Sequence, residues 1–400
     1  MIAQAQRKSA FDTARAVAAI REALPPCIAE APLHRPHFAG REWDYLKACL
    51  DSSYVSSVGA FVSRFERAIA DIAGTKHAVA VVNGTAALHV ALLLVGVTAG
   101  DEVLAPALTF VATANAISYC GAIPHFVDGE PATLGIDPQA LRCYLRDIAE
   151  RRGATLVNRR TGRRIAAIVP MHTFGHPVDM EPLNALAAEL ELAVVEDATE
   201  SLGSRYKGRP TGSLSRLAAF SFNGNKIITT GGGGAITTDD ATLAERAKHL
   251  TTTAKLPHAW AFIHDAVGFN YRMPNLNAAL GCAQLEQLDG FLAAKRMLAA
   301  RYRGTLAGVP GVSFVDEPAF ARSNYWLNAL LLDDENATER DELLRRCNAD
   351  GLLCRPVWTL MHRLAIYADC PRMPLPVAES IEARLVNLPS GPGLALALEG

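Results

Sequence analysis

The sequence predicts an α/β fold, a mainly parallel central sheet covered by helices and followed by a smaller α+β unit. Three observations predict it. Short runs rich in Val, Ile and Ala alternate with helical stretches from about residue 60 to Glu196. Polar turns with chemical potential sit where several of these runs end, as expected of ligand-binding α/β sheets. After Glu196 the rhythm changes, and strand-like runs are joined by a loop instead of a helix.

Taken in order, residues 9–24 read as an amphipathic helix with Phe11, Val17, Ile20 and Leu24 near one face, stopped by Pro25-Pro26. A short helix follows at Glu42–Leu50. The alternating region pairs strand Ala78–Val82 with helix Ala86–Leu94, Glu102–Ala105 with Val111–Tyr119, Ile123–Val127 with Pro138–Glu150, and Ile165–Val169 with Met180–Leu190, and closes with strand Leu192–Glu196. Leu217–Phe222 and Ala235–Thr238 are strand-like and flank the loop Asn223–Gly234. One long helical pattern runs from Ala278 to about Leu306, and the last hundred residues carry strands at Ser313–Val315 and Trp326–Leu332. The expected division is an N-terminal arm at 1–45, a large domain at 46–290 and a small C-terminal domain at 291–400.

Composition narrows the function. The chain has 400 residues, 50% apolar and 20% charged, with 39 Lys and Arg against 41 Asp and Glu, a net charge of −2. That balance gives no electrostatic case for nucleic acid or an anionic membrane. The longest strongly apolar run, Leu88 to Val97, holds ten residues including His89, well short of the roughly 20 that span a bilayer. Met1 to Lys8 is polar, so no secretion leader is expected. Eight cysteines are scattered singly at 27, 49, 120, 143, 282, 347, 354 and 370, without the spacing of a zinc site or disulfide framework. The expectation is a reduced, cytoplasmic protein.

Three segments carry candidate chemistry. Asn83-Gly84-Thr85-Ala86-Ala87 joins a strand to a helix, where Gly84 permits a tight turn, Thr85 offers a hydroxyl and the new helix exposes free N–H groups. A helix cap accounts for this segment taken alone. Val195-Glu196-Asp197-Ala198 ends a buried strand in carboxylates that need hydrogen-bonding or cationic partners. Ser221-Phe222-Asn223-Gly224-Asn225-Lys226 precedes Ile227-Ile228-Thr229-Thr230 and four consecutive glycines, Gly231 to Gly234. Lys226 precedes Ile227, so the nucleotide-binding pattern Gly-Lys-Ser/Thr fails. A lysine that forms a Schiff base, held on a rigid turn beside phosphate donors, fits the loop.

In this order the three segments resemble the fold type I pyridoxal-phosphate aminotransferases, and within them the DegT/StrS family of nucleotide-sugar aminotransferases. The resemblance runs from about residue 30 onward and includes Asn83–Leu88, Asp101–Asp128, Glu196–Ala198, Tyr206–Gly212 and Phe220–Thr238. Ser52–Gly59, Met171–Pro177, Phe269–Leu280 and Asn324–Asn328 look like the legionaminic-acid branch, which acts on UDP-linked 4-keto-6-deoxy-N-acetylhexosamine.

The resemblance implies that Lys226 carries pyridoxal 5'-phosphate as a Schiff base and moves the proton during transfer. It implies that Asp197 pairs with the pyridine nitrogen, that Phe110 stacks on the ring, and that Gly84, Thr85 and Ser221 hold the phosphate. Asn270, in Gly268-Phe269-Asn270-Tyr271-Arg272, matches a residue that relatives supply across a dimer interface, so a homodimer with shared active sites is implied. Glu200 departs from the common pattern, since many relatives carry Gln or His there; it is taken as a cofactor-site residue whose role is open.

His172 and His176 sit four apart, but Gly175 and Pro177 make a loop of the segment and no metal site is expected. His172 follows a strand end and is expected to line the substrate cavity. Arg272 and Arg355, with Arg209 and Arg322, are candidates for the pyrophosphate or the donor carboxylate, and surface solvation fits each as well. Tyr325, Trp326 and Trp358 fit stacking on a base or sugar and fit packing equally.

The resemblance thus implies amino transfer, with glutamate as donor, to C4 of a UDP-linked keto sugar in surface-glycan or nonulosonic-acid synthesis. The alternative is another nucleotide-linked keto sugar, aminated at C3 or C4 and carried on dTDP or GDP. A sugar dehydratase on the same scaffold would replace Lys226 with His or cluster its cysteines, and a non-catalytic binder would lose Lys226 or Asp197; neither change is present.

Overall fold

The computed structural model describes residues 11–26 and 28–398. The polar segment Met1 to Lys8, the start of the expected first helix and Cys27 lie outside the described residues.

In chain order the first strands are β1 (His77–Val81), β2 (Glu102–Pro106), β3 (Ile123–Val127), a hairpin of β4 (Ala149–Arg152) and β5 (Thr155–Asn158), β6 (Ile165–Ile168) and β7 (Ala193–Asp197). Then come the short β8 (Arg205–Tyr206) and β9 (Arg209–Pro210), β10 (Leu217–Ser221) and β11 (Gly234–Thr238). Seven of these build the main sheet in the order β1-β11-β10-β7-β6-β2-β3. β10, β7, β6, β2 and β3 are mutually parallel, while β11 runs antiparallel to both β1 and β10.

The strands are near-continuous apolar runs because both faces are covered. One core cluster on the sheet holds Leu104, Phe126, Ile168 and Phe220, and a second holds Val81, Val103, Val169 and Ile236. The helix Gly84–Leu94 is apolar almost all round and nearly wholly buried, so it is a central element of the molecule.

The C-terminal part forms a four-stranded antiparallel sheet in the order β12 (Val312–Phe314), β14 (Asn328–Leu332), β16 (Leu385–Leu388) and β15 (Arg355–Pro356). β13 (Ala321–Arg322) pairs instead with β8 and ties the two parts together. A third core cluster joins Ala16, Ile20 and Leu24 to Leu298, Tyr302, Leu330 and Leu388. The N-terminal helix Thr13–Glu22 therefore packs on the C-terminal unit.

Three expected elements differ. The helix expected over Pro138–Glu150 ends at Ile148, and its last residues belong to β4. The single helix from Ala278 to Leu306 is two helices, Asn275–Leu285 and Leu288–Leu306. Glu42 accepts hydrogen bonds from Gln284 at 2.6 Å and Gln287 at 2.8 Å, and Gln287 also bonds the Ala283 carbonyl at 3.1 Å, which secures the break between the helices. The strand expected from Trp326 starts at Asn328, because the Trp326 amide bonds the Asn324 side chain and the ladder begins two residues later. Among the described residues no helix is long and apolar enough to cross a membrane.

Candidate active site

A cavity of about 340 Å³ opens at the carboxyl ends of β7 and β10 and the start of helix Gly84–Leu94. Its lining includes Gly84, Thr85, Phe110, Asp197, Glu200, Ser221 and Lys226, with Trp326 and Trp358 on the side of the C-terminal unit.

Asn83 caps the helix by accepting from the Ala86 N–H at 2.8 Å. The N–H groups of Gly84 and Thr85 precede the helical ladder and, with the helix dipole, favour an anion. A Cβ on Gly84 would come within 2.8 Å of Ser221 Cβ and 3.1 Å of Thr199 Cγ2, so the cradle exists only because residue 84 is glycine. Gly234 plays the complementary part, since a Cβ there would reach 2.5 Å from the Asn83 backbone.

Asp197, the last residue of β7, is buried but lines the cavity. Its Oδ2 accepts from Thr113 Oγ1 at 2.7 Å, and its Oδ1 accepts from Thr199 Oγ1 at 2.7 Å and Thr199 N–H at 3.2 Å. These donors fix the plane of the carboxylate. Lys226 lies across the cavity in the loop after β10, with Nζ 3.8 Å from the centroid of the Trp326 ring. Trp326 Nε1 donates to the Asn225 carbonyl at 2.7 Å, which ties the indole to the lysine loop.

Glu200 Oε1 stands 3.2 Å from Lys226 Nζ, and Glu200 Oε2 accepts the Phe174 N–H at 3.0 Å. Burial pushes the Glu200 carboxyl up to about 7 despite Lys226 and that N–H, and the Asp197 charge adds to the rise. Phe110 precedes helix Val111–Tyr119 and is 48% exposed at the cavity, edge-on to Trp358 at 6.1 Å. Core packing does not hold it there.

Several expected positions fall elsewhere. His172 is fully buried and does not line the cavity, since its Nε2 pairs with Glu196 Oε1 at 3.0 Å and its Nδ1 accepts the Val178 N–H at 3.1 Å. Glu196 also accepts the Gly212 and Leu214 N–H groups, so this pair binds the loop before β10 to the back of the sheet. Arg272 is buried against the Ala80 carbonyl and Glu66 at 2.9 and 2.7 Å. Tyr325 is buried with its hydroxyl on Asp316 at 2.6 Å. Arg355 is exposed on β15 and bonds Asn348 at 2.8 Å. Asn270 is exposed and outside the lining of this cavity. Among the described residues no group of three or more His, Cys, Asp or Glu is arranged to hold a metal ion.

Sequence reasoning missed Thr113 and Thr199, the hydroxyls that hold Asp197. Thr199 was findable, because it stands two residues past a strand-ending carboxylate. Thr113, in the first turn after Phe110, needed the fold.

A lysine and a strand-end carboxylate facing one cavity, with an anion cradle and a half-exposed aromatic, form a donor set that fits pyridoxal phosphate. The class is therefore a pyridoxal-phosphate-dependent aminotransferase of fold type I. Residues 37–398 match the DegT/DnrJ/EryC1/StrS aminotransferase family, and the chain belongs to it. It is 40% identical over 362 residues to a GDP-perosamine synthase of Caulobacter vibrioides, covering 90% of this chain and 92% of that one. A GDP-perosamine synthase of Escherichia coli O157:H7 is 39% identical, covering 91% of this chain and 94% of that one. Among solved structures, DesI with its TDP-sugar product superposes with a TM-score of 0.81 at 30% identity, covering 93% of this chain and 92% of that one.

Proposed function

We propose that this aminotransferase moves an amino group, with glutamate as donor, onto the keto carbon of a GDP-linked deoxy sugar. The observation that carries the reaction is the single cavity shared by Lys226, Asp197 and the first turn of helix Gly84–Leu94. The names of the two curated relatives, both synthases of a GDP-linked amino sugar, support the nucleotide. They lend no support to the narrower sequence expectation of a UDP-linked N-acetylhexosamine in the legionaminic-acid branch, which remains the rival substrate.

In this reading Lys226, Asp197, Phe110, Gly84, Thr85 and Ser221 hold the cofactor, with the phosphate at Gly84, Thr85 and Ser221. When bound, pyridoxal phosphate supplies an electron-withdrawing ring that stabilises negative charge at the carbon bearing the transferred nitrogen. Asp197, braced by two threonine hydroxyls, orients the ring from its nitrogen side. Lys226 Nζ takes and returns the proton at the reacting carbon. Glu200, poised near neutrality beside that amine, holds a proton that Lys226 can exchange. Phe110, Trp326 and Trp358 exclude water from one side.

A homodimer that completes each site with the partner's Asn270, operation in the cytoplasm, and a division near residue 290 with the N-terminal helix on the smaller unit belong to the same reading. The exposure of Asn270 away from its own cavity and the third core cluster support the first and last of these.

The test is a visible spectrum of the holoenzyme in three steps. Glutamate should bleach the cofactor band, and a GDP-linked 4-keto-6-deoxyhexose should restore it. Restoration only by the UDP-linked 4-keto-6-deoxy-N-acetylhexosamine would return the rival substrate. A protein that stays colourless with added pyridoxal phosphate would remove the roles given to Lys226 and Asp197.

A further inference from the structure

Behind the cavity lies a lysine without a carboxylate. Lys295, in helix Leu288–Leu306, is fully buried. Its Nζ meets the Trp326 carbonyl at 3.0 Å, the Ser390 carbonyl, and His34 Nε2 at 3.0 Å. His34 is buried as well, and its Nδ1 has no hydrogen-bond partner. Among the described residues no Asp or Glu bonds either side chain. The other ionisable group that bears on His34 is Lys226, from the loop after β10, and it carries the same sign of charge.

Counting hydrogens separates two states. As an ammonium, Nζ donates three bonds and His34 accepts one at Nε2, which forces its proton onto Nδ1. A buried N–H then has no acceptor, and a buried charge has no counter-ion. As a neutral amine, Nζ donates to the two carbonyls and accepts the His34 Nε2–H. The only atom left unpaired is then a bare ring nitrogen. Burial also pushes Lys295 far below its ordinary value, and His34 likewise, with Lys295 and Lys226 adding to the effect on His34 and an interaction with its own backbone only partly opposing it.

The amine connects to the reacting lysine through one residue. It fixes the backbone of Trp326, whose ring lies against Lys226 Nζ and whose Nε1 holds the carbonyl of Asn225. A charged Lys295 would set a second cation behind that ring, whereas a neutral one braces it without repelling Lys226.

We propose that Lys295 is an uncharged positioning residue that, clasped to His34, holds Trp326 against Lys226. The positioning half rests on the aminotransferase reading above, while the charge state does not.

Two measurements test it. Lys295→Met keeps the volume and removes the amine. A lysine neutral when folded and protonated when unfolded makes unfolding take up one proton. Between about pH 6 and 9 the holoenzyme's unfolding free energy should then rise with pH, relative to Lys295→Met, by a slope of one proton. Equal slopes would overturn the uncharged state, whatever reaction the protein catalyses.

For positioning, Lys295→Met should move the pH midpoint of the holoenzyme's visible band and lower kcat about tenfold, with KM for the donor within twofold. His34→Gln, which retains an N–H donor at the Nε2 place, should keep the midpoint, and His34→Leu should shift it even if Lys295→Met fails to fold. An unmoved midpoint in both Lys295→Met and His34→Leu would reduce the clasp to packing and overturn the proposal.

Discussion

Glu102 and Glu200 are both buried carboxylates attached to the main sheet, one opening β2 and the other just beyond the end of β7. Glu102 receives His125 Nδ1 at 2.8 Å, Asn158 Nδ2 at 2.8 Å and Thr161 Oγ1 at 2.5 Å, and His125 is held in turn by Tyr144 at 2.9 Å. Burial alone would raise the Glu102 carboxyl, but those three donors outweigh it and hold it below the usual range. Glu200 has one backbone N–H and one amine, and burial wins. The same side chain at similar depth is thus saturated at the amino end of the sheet and left short of donors at the carboxyl end. Saturation builds structure, and the shortage leaves a proton available beside Lys226.

The largest expected effect sharpens the second half of that comparison. Lys226→Ala should lower turnover by on the order of a thousandfold or more, with a melting temperature within a few degrees of the parent by circular dichroism. A collapse of stability instead would mean that the cavity side is structural too. Glu102→Ala should do the reverse. It strands His125, Asn158 and Thr161 in the interior and should cost about 3–5 kcal/mol of stability in denaturant melts, with kcat of the folded fraction within twofold. The smallest effect is read from pH. In the cofactor-free protein the raised Glu200 carboxyl contributes stability that is fully present below its ordinary value of 4.5 and lost as pH rises through about 7. Glu200→Gln should remove that decline, on the order of 3 kcal/mol. Glu102 acts oppositely, with stability present above 4.5 and lost on acidification. Parallel pH trends for the two sites would break the comparison.

Local signals made much of this legible from the sequence. Helix Met180–Leu190 and strand Ile123–Val127 fall where the apolar period and the flanking turns put them. Gly84, Asp197 and Lys226 each read as an ordinary cap or loop residue alone, and the order of the three segments joined them. What the sequence hid depends on distant partners. The break at Glu286-Gln287 interrupts a leucine pattern that continues through it, because Glu42 fixes the glutamines there. Strand alternation sends Glu196 and Asp197 to opposite faces, and His172 lies at the back of the sheet because it pairs there with Glu196, 24 residues away in the chain. Alternation alone places Glu196, and only the fold brings His172 to it. The β4–β5 hairpin was also hidden, since Glu150 to Arg152 continue a helical pattern in a charged stretch.

The edge position of β1 has a consequence for how the chain is made. Among the described residues its strand partner in the sheet is β11, about 150 residues later, with one isolated bridge from Val81 to Arg272 on the other side, and the Asn83-Gly84 turn presses on Gly234 of β11. At translation rates of roughly 5–20 residues per second, the nascent segment from His77 to Leu94 waits roughly 8–30 s on the ribosome before its pairing partner is synthesised. During that interval the side of the apolar helix Gly84–Leu94 that packs on β10 and β11 has no partner, so its burial is completed only when those two strands emerge.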